Sequence, residues 1–274
     1  MVDSTPRFAT TYVREFPHGQ SLPQIFLVED VGQCAVKFLQ NPQGPRVLTN
    51  ELVSFGLATA LGIEHPRVGV VEISAAVLSG DGVLNTVDRW GDSCTLEPGL
   101  HFYSQWLEPV DRVEADDLKG LAIKNAAMMA GVVVLDLLVN NWDRKRGNMN
   151  LLLHREAEGQ HLKLIDMGMA FGGSLWTVGN LMDSSLPPVA EPLRYAGELG
   201  DILANVNVQE DFQPYLQKLR KLTEAKLGAI IQTVPDAWLV TEEEREALLN
   251  YLFQRVQALP DYLSSRLGKD VWWQ

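Results

Sequence analysis

The chain has 274 residues, 46% hydrophobic and 21% charged, which fits an ordinary globular protein of one large domain or two small lobes. Its formal net charge is −12, from 35 acidic and 23 basic residues. That balance disfavours generic binding to nucleic acid or to an anionic membrane, because both need positive surface potential. A small anionic ligand remains compatible, since it needs only a few local cations, a metal or backbone amides. The longest apolar run, Ala126 to Val139, is too short for a bilayer span and is interrupted by Asp136. The N-terminus is polar and shows no basic-then-apolar leader pattern, and the only cysteines are Cys34 and Cys94. Free thiols and a cytoplasmic location are the expectation.

Thr10 to Phe16, Ile25 to Asp30 and Gln33 to Leu39 have strand character and predict an antiparallel sheet near the N-terminus. The connection Pro17 to Pro23 holds His18, Gly19 and Ser21. It reads either as a plain hairpin loop or as a loop whose backbone amides cover phosphates. In the third strand, Ala35 and Leu39 share a face with Lys37, while Cys34, Val36 and Phe38 share the other. A lysine in such a strand is either partly buried, and then needs an anionic partner, or lies flat with its head in water. Arg46 to Leu61 repeats Leu48, Leu52 and Phe55 at helical spacing, and Gly62 ends the helix. The short strand-to-helix connection folds this helix back over the sheet. Glu51 then comes within reach of Lys37, the alternative being an ordinary solvated glutamate.

Val68 to Val77 predicts a strand with a bend, Ser79 to Pro98 a loop, and His101 to Leu107 a further strand broken at Glu108-Pro109. A lobe boundary there divides the chain into residues 1–107 and 108–274. A strand crossing between lobes offers the backbone of Trp106 and Leu107 to a planar ligand such as adenine. Asp116 to Asn140 predicts a long buried helix. Leu175 to Pro192 is irregular and Glu191 to Val206 weakly helical. Asp211 to Gln232 and Thr241 to Leu259 predict amphipathic helices, the second opened by the capping pair Thr241 and Glu244. Asp261 to Leu267 adds a helical turn, and Trp272 and Trp273 are expected to pack on the protein's own surface.

The most informative stretch lies between these halves. Met149 to Leu153 and His161 to Ile165 flank the polar turn His154 to Gln160 and read as a hairpin. Asn148 precedes its first strand and Asp166 follows its second, so both fall at one end. Asp143 lies five residues before Asn148 on the same loop. Magnesium takes hard oxygen ligands, few from protein and the rest from water and phosphate. Asn148 and Asp166 are therefore the expected metal ligands. Asp143 is the expected base that orients or accepts the proton of an attacking hydroxyl. Arg144 and Lys145 are expected to neutralise the loop or touch phosphate. Each polar residue alone suits a turn or a cap. Together, and with Lys37 and Glu51 upstream, they point to phosphoryl transfer.

Lys37, Glu51, Asp143, Asn148 and Asp166 stand in the order of the protein-kinase-like fold. The Asp143-Arg144-x-x-x-Asn148 element resembles the loop of HipA-like kinases and of phosphoinositide kinases. The segment Val36-Lys37-Phe38 through Asn41-Pro42-Gln43-Gly44-Pro45-Arg46 to Asn50-Glu51-Leu52, the helix end Leu61-Gly62-Ile63, and Val234-Pro235-Asp236-Ala237-Trp238 are similar to a HipA-like kinase domain. The resemblance implies an α+β, bilobed protein-kinase-like fold with a small antiparallel β-rich N-lobe and a mainly helical C-lobe. It implies ATP and Mg2+ as cofactors. Lys37, paired with Glu51, would touch the α- and β-phosphates; Gly19 and Ser21 would lie over the phosphates, and Trp106 and Leu107 beside the base. Departures are Lys145, where histidine is common, Met167 in place of the aromatic of Asp-Phe-Gly, and a covering loop poor in glycine. The implied activity is phosphotransfer to a protein serine or threonine, with no generic nucleic-acid binding. A phosphoinositide-type lipid kinase and a nucleotide-binding pseudokinase are the alternatives. Acidic charge and the lack of a basic amphipathic segment weigh against the lipid.

Overall fold

The computed structural model describes residues 3–16, 19–79, 85–87, 93–108, 110–113, 122–145, 147–183, 207, 210–238 and 240–266. Five strands form a closed barrel: β1 (Asp3–Glu15), β2 (Gln24–Val28), β3 (Gly32–Lys37), β4 (Val68–Ile73) and β7 (Gly99–Gln105), in the order β1-β2-β3-β7-β4. Closure comes from β1 pairing parallel with β4, so the predicted antiparallel sheet is corrected to a mixed, closed one. β1 is long enough to reach both neighbours, and register shifts between Ala9 and Thr11 and between Tyr12 and Arg14 bend it around the barrel. Strand alternation sorts the side chains. Phe26, Cys34, Val36, Phe38, Val71, Ile73 and Tyr103 fill the barrel. Val68, Val70 and Phe102 point the other way and join the main core.

That main core is built on helix α1 (Arg46–Leu61), whose residues 47–58 are all buried. Asn41 shapes the turn before it by donating to Phe38 O at 2.8 Å and Gly44 O at 3.0 Å. Gly62 ends it in the left-handed region at φ 73°, as the sequence predicts. After β4 the chain turns into a short helix, α2 (Ala75–Ser79), where the sequence suggested a bent strand. Within the predicted loop lies a small pair, β5 (Asn85–Val87) and β6 (Ser93–Thr95). β8 (Val110–Arg112), β9 (Leu151–Glu156) and β10 (Gly159–Leu164) form a second sheet in the order β10-β9-β8. The predicted hairpin is present, with a tighter turn at residues 157–158.

Helix α3 (Met128–Val139) is buried on every side. Among the described residues it starts later than predicted. Asn125 mimics a strand partner: its amide donates to Leu162 O at 3.0 Å and accepts from Leu162 N at 2.8 Å, which holds the preceding turn against β10. Helix α4 (Val178–Asp183) occupies part of the stretch read as irregular. The predicted helix 211–232 is two helices, α5 (Phe212–Arg220) and α6 (Glu224–Ile231). Thr223 adopts an extended backbone between them and caps α6 by accepting from Lys226 N. Gly56 lets α6 approach α1: a Cβ there would meet Ile230 at 2.6 Å. The last helix, α7 (Glu242–Arg266), runs through Pro260 and absorbs the predicted final turn. Its capping box forms, with Thr241 N donating to Glu244 at 2.9 Å and Glu244 N to Thr241 at 3.2 Å. The readings for residues 191–206 and for Trp272 and Trp273 lie outside the described residues. Among the described residues, no helix is long and apolar enough to cross a membrane.

Candidate active site

Alternation in β3 puts Lys37 on the face away from the barrel interior, towards α1. There its ammonium is ion-paired with Glu51 and donates to Asp166 Oδ1 at 2.8 Å. Glu51 is 1% exposed, and its second oxygen accepts from Met167 N at 2.9 Å. One helix glutamate thus ties the strand lysine to the chain just beyond the hairpin. Burial opposes the Lys37 charge, but Asp166 and Glu51 outweigh it and hold its pKa above the usual lysine range. Burial pushes Glu51 up to about 7, with Lys37 opposing and Asp166 adding to the rise. Asp166 keeps 43% side-chain exposure. Burial would raise its pKa, but the Lys37 ammonium wins and holds it below the usual carboxylate range.

Asp166 itself has φ 55°, a left-handed backbone uncommon for a non-glycine residue. The turn after it is clamped by Asn50, the neighbour of Glu51. The Asn50 amide nitrogen donates to Gly168 O at 2.7 Å, Ala170 O at 3.0 Å and Gly173 O at 3.0 Å, and its oxygen accepts from Trp176 Nε1 at 2.8 Å. Met167 is buried where an aromatic is common, with its sulfur 3.6 Å from Arg144 Nη2 and 3.8 Å from Asn141 Nδ2.

The loop after α3 is held from beneath. Arg144 is fully buried, pairs with Asp136 of α3 and donates to the carbonyls of Met149 and Asn150. The expectation that Arg144 touches phosphate is therefore corrected: its guanidinium is enclosed, and only Lys145 of that pair is exposed. Asn141 donates to Asp136 Oδ1 at 2.8 Å and accepts from Asp143 N at 3.3 Å. Asn148 donates to Asp143 Oδ2 at 2.9 Å, and Asn150 to the same oxygen at 3.2 Å. Asp143 and Asn148 are thus brought into direct contact. Burial raises the Asp143 pKa above the ordinary value, and the charge of Asp166 raises it further against the opposing amides and Lys145.

Between barrel and hairpin lies a cleft of about 370 Å³. Gly19, Ser21, Lys37, Glu51, Trp106, Leu107 and Asp166 all line it; Asp143 and Asn148 do not. Its apolar walls include Ala35, Phe102, Leu152 and Ile165, from both sheets. The backbone amides of Gln105 and Trp106 already donate to Arg67 O and Gln33 O, each at 2.8 Å. Hydrogen bonding to a planar ligand at this strand exit would fall to carbonyls and to the Leu107 amide. Phe16 meets Trp106 edge-on at 5.4 Å, fastening the end of β1 to this exit. Asp136, Asn141 and Asn150 are the site residues that pattern reading passes over, and Asn50 enters it only through the Asn50-Glu51-Leu52 resemblance, without a role. The available signal is Asp136, a carboxylate inside an otherwise apolar helix, which demands a buried partner.

The fold is similar to that of the Helicobacter pylori proinflammatory kinase CtkA, at a TM-score of 0.58 and 13% identity, covering 96% of this chain and 98% of that one. It is also similar to hydra Fam20, at a TM-score of 0.52 and 14% identity, covering 96% and 88% respectively. At such identities the likeness shows the fold, an α+β kinase fold. No curated protein matches. The model of the HipA-like kinase family matches residues 10–274, so the chain belongs to the HipA-like kinase family.

Proposed function

We propose that the chain is an ATP- and Mg2+-dependent phosphotransferase acting on a protein serine or threonine hydroxyl, built as an N-lobe of residues 1–107 and a C-lobe of residues 108–274. The observation that carries this reading is the Lys37 ammonium held between Glu51 and Asp166 in the cleft, with the charge of Asp166 felt at Asp143. Asp143 and Asp166 repel each other, and a divalent cation beside them would relieve that repulsion. Asn148 uses its amide nitrogen on Asp143, which leaves its Oδ1 as the donor for a cation. Asn148 and Asp166 would hold Mg2+, which supplies neutralisation of charge on the phosphate oxygens.

The protein's own steps follow. The cleft takes the nucleotide, with Ala35, Phe102, Leu152 and Ile165 enclosing the base and Trp106 and Leu107 at its edge. Lys37 binds phosphate oxygens, kept in place by Glu51. Gly19 and Ser21 lie over the phosphates. Asp143 orients the acceptor hydroxyl and takes its proton as the oxygen bonds to the γ-phosphorus and the bond to the β,γ-bridging oxygen breaks, releasing ADP. The test compares wild type with Asp143→Ala in Mg2+-ATP. Transfer should fall on the order of 10²–10⁴-fold, with the thermal shift by ATP retained. Equal activity would remove Asp143 from the role of base, and a shift without transfer in the wild type would favour the pseudokinase reading.

A further inference from the structure

Asn150, the last residue before β9, is 5% exposed and has φ 48°, a left-handed backbone that is strained for a non-glycine residue. Its side-chain oxygen is buried and makes no hydrogen bond among the described residues, which is a second unfavourable feature. Glycine would adopt this backbone without either. What asparagine adds is its amide nitrogen, which donates to Asp143 Oδ2 at 3.2 Å. Reversing the amide would set its oxygen against the carboxylate, so the charges allow only this orientation. The backbone that aims the amide is anchored on both sides. Asn150 O accepts from Ile165 N, next to Asp166, and from the buried Arg144 Nη1, each at 3.1 Å. Asn148 donates to the same Asp143 oxygen at 2.9 Å. Two amides thus converge on Oδ2, while Oδ1 of Asp143 makes no hydrogen bond among the described residues.

We infer that Asn150 is a positioning residue for phosphotransfer: by holding Oδ2 it fixes the rotation of the Asp143 carboxylate and leaves Oδ1 as the oxygen that meets the acceptor hydroxyl. Oδ1 takes the hydroxyl proton as the acceptor oxygen bonds to the γ-phosphorus and ADP leaves. This rests on the proposed role of Asp143 as base. Asn148 supplies one donor, but its side chain answers also to the cation it would hold. Asn150 has no such second task. Its carbonyl ties it to the end of the hairpin that carries Asp166, so the base and the metal-binding carboxylate keep one register. A group held on an anchored backbone is also the kind that keeps a reacting oxygen within the narrow geometry transfer needs.

The experiment measures transfer from γ-labelled ATP with Mg2+ to a degenerate peptide library carrying serine or threonine only at its centre. Asn150→Gly removes the amide and keeps the left-handed backbone unstrained, so it should melt like the wild type by circular dichroism. Its kcat should fall about 10–100-fold, with the KM for ATP and the thermal shift by Mg2+-ATP unchanged. In an Asp143→Ala background the same change should have no further effect, because the amide acts only through the carboxylate it holds. Asn150→Asp keeps size and backbone but has no donor, and should fall with the glycine variant. Wild-type transfer by Asn150→Gly, or a further fall in the Asp143→Ala background, overturns the inference. A readout that needs no transfer is the exchange with water of the Asn150 side-chain amide protons, assigned by NMR through their loss in Asn150→Gly. Asp143→Ala should speed that exchange, and unchanged exchange overturns the contact. A wild type that transfers nothing while the amide responds to Asp143→Ala sinks the phosphotransfer reading and not the contact, so the two failures are distinguishable.

Discussion

Asp136→Ala is the sharpest test of how the loop carrying Asp143 is held. Both Asp136 and Arg144 have no exposed side-chain surface, and Arg144 offers two nitrogens to the Asp136 carboxylate. Removing the carboxylate takes the anionic partner away from a buried guanidinium and leaves it, among the described residues, the Met149 and Asn150 carbonyls and the Met167 sulfur. An unpaired buried charge costs about 3–5 kcal/mol, a large share of a stability of about 5–15 kcal/mol. For a chain of this size that is a fall in melting temperature of roughly 6–20 °C. The assay is urea unfolding by circular dichroism, with a thermal melt beside it. A second arm, Asp136→Leu with Arg144→Met, removes both charges and should recover most of the stability, because a buried pair adds little over apolar packing. It should not recover transfer, because the two carbonyl anchors of the loop are gone. If Asp136→Ala melts within about 2 °C of wild type, or the double variant is as unstable as the single one, the buried-charge reasoning is wrong.

Three further outcomes can be checked. Asn50→Asp places a carboxylate against the carbonyls of Gly168, Ala170 and Gly173, so it should cost about 2–4 kcal/mol and speed amide exchange across residues 166–176; unchanged exchange would refute the clamp. In metal-free buffer, carboxyl 13C NMR should place the Asp143 pKa above the ordinary aspartate value, and Asp166→Asn should lower it, because a neighbouring negative charge is removed while burial remains. His101 accepts from Leu39 N and meets Glu97 O inside the barrel edge, and burial lowers its pKa from 6.5 to about 4. The unfolded state then binds the proton first, so this stabilisation is complete above pH 6.5 and is lost as pH falls towards 4. The loss approaches about 3 kcal/mol, and His101→Gln should flatten the stability profile over that window.

Residues fixed by local periodicity were readable in the sequence. Lys37 faces α1 because alternation in β3 leaves it no other side, and Glu51 meets it because the short connection at residues 38–45 sets the phase of α1. Asp143 and Asn148 are five residues apart in one loop, so their contact is also local. What escaped was set by distant partners. β1 gives no sign of its parallel pairing with β4, because that pairing depends on closing the barrel. Asn50 looks like any helix asparagine until residues 168–173 are folded against it. Arg144 beside Asp143 looks like a phosphate ligand, since arginine is usually exposed; only the lone carboxylate in α3 tells otherwise. Helical periodicity likewise runs through Thr223 without registering the break, because α5 and α6 keep similar apolar spacing on either side.

The acidic balance of the whole chain and an anionic nucleotide are reconciled at the level of a few side chains. Lys37 contacts two carboxylates, Glu51 and Asp166, and Asp143 feels the second of them. This small group carries more negative than positive charge, and burial together with the charge of Asp166 raises the pKa values of both Glu51 and Asp143. A site meant to bind phosphate by protein cations alone would be built the other way round, with basic residues in excess. Arg144, beside Asp143 in the loop, is turned inward and used on Asp136. Under the proposed function, phosphate therefore binds together with its own cation, taken by Asn148 and Asp166. On this reasoning nucleotide affinity should depend steeply on divalent metal, far more than on ionic strength. A thermal shift by ATP that was the same with and without Mg2+ would contradict it.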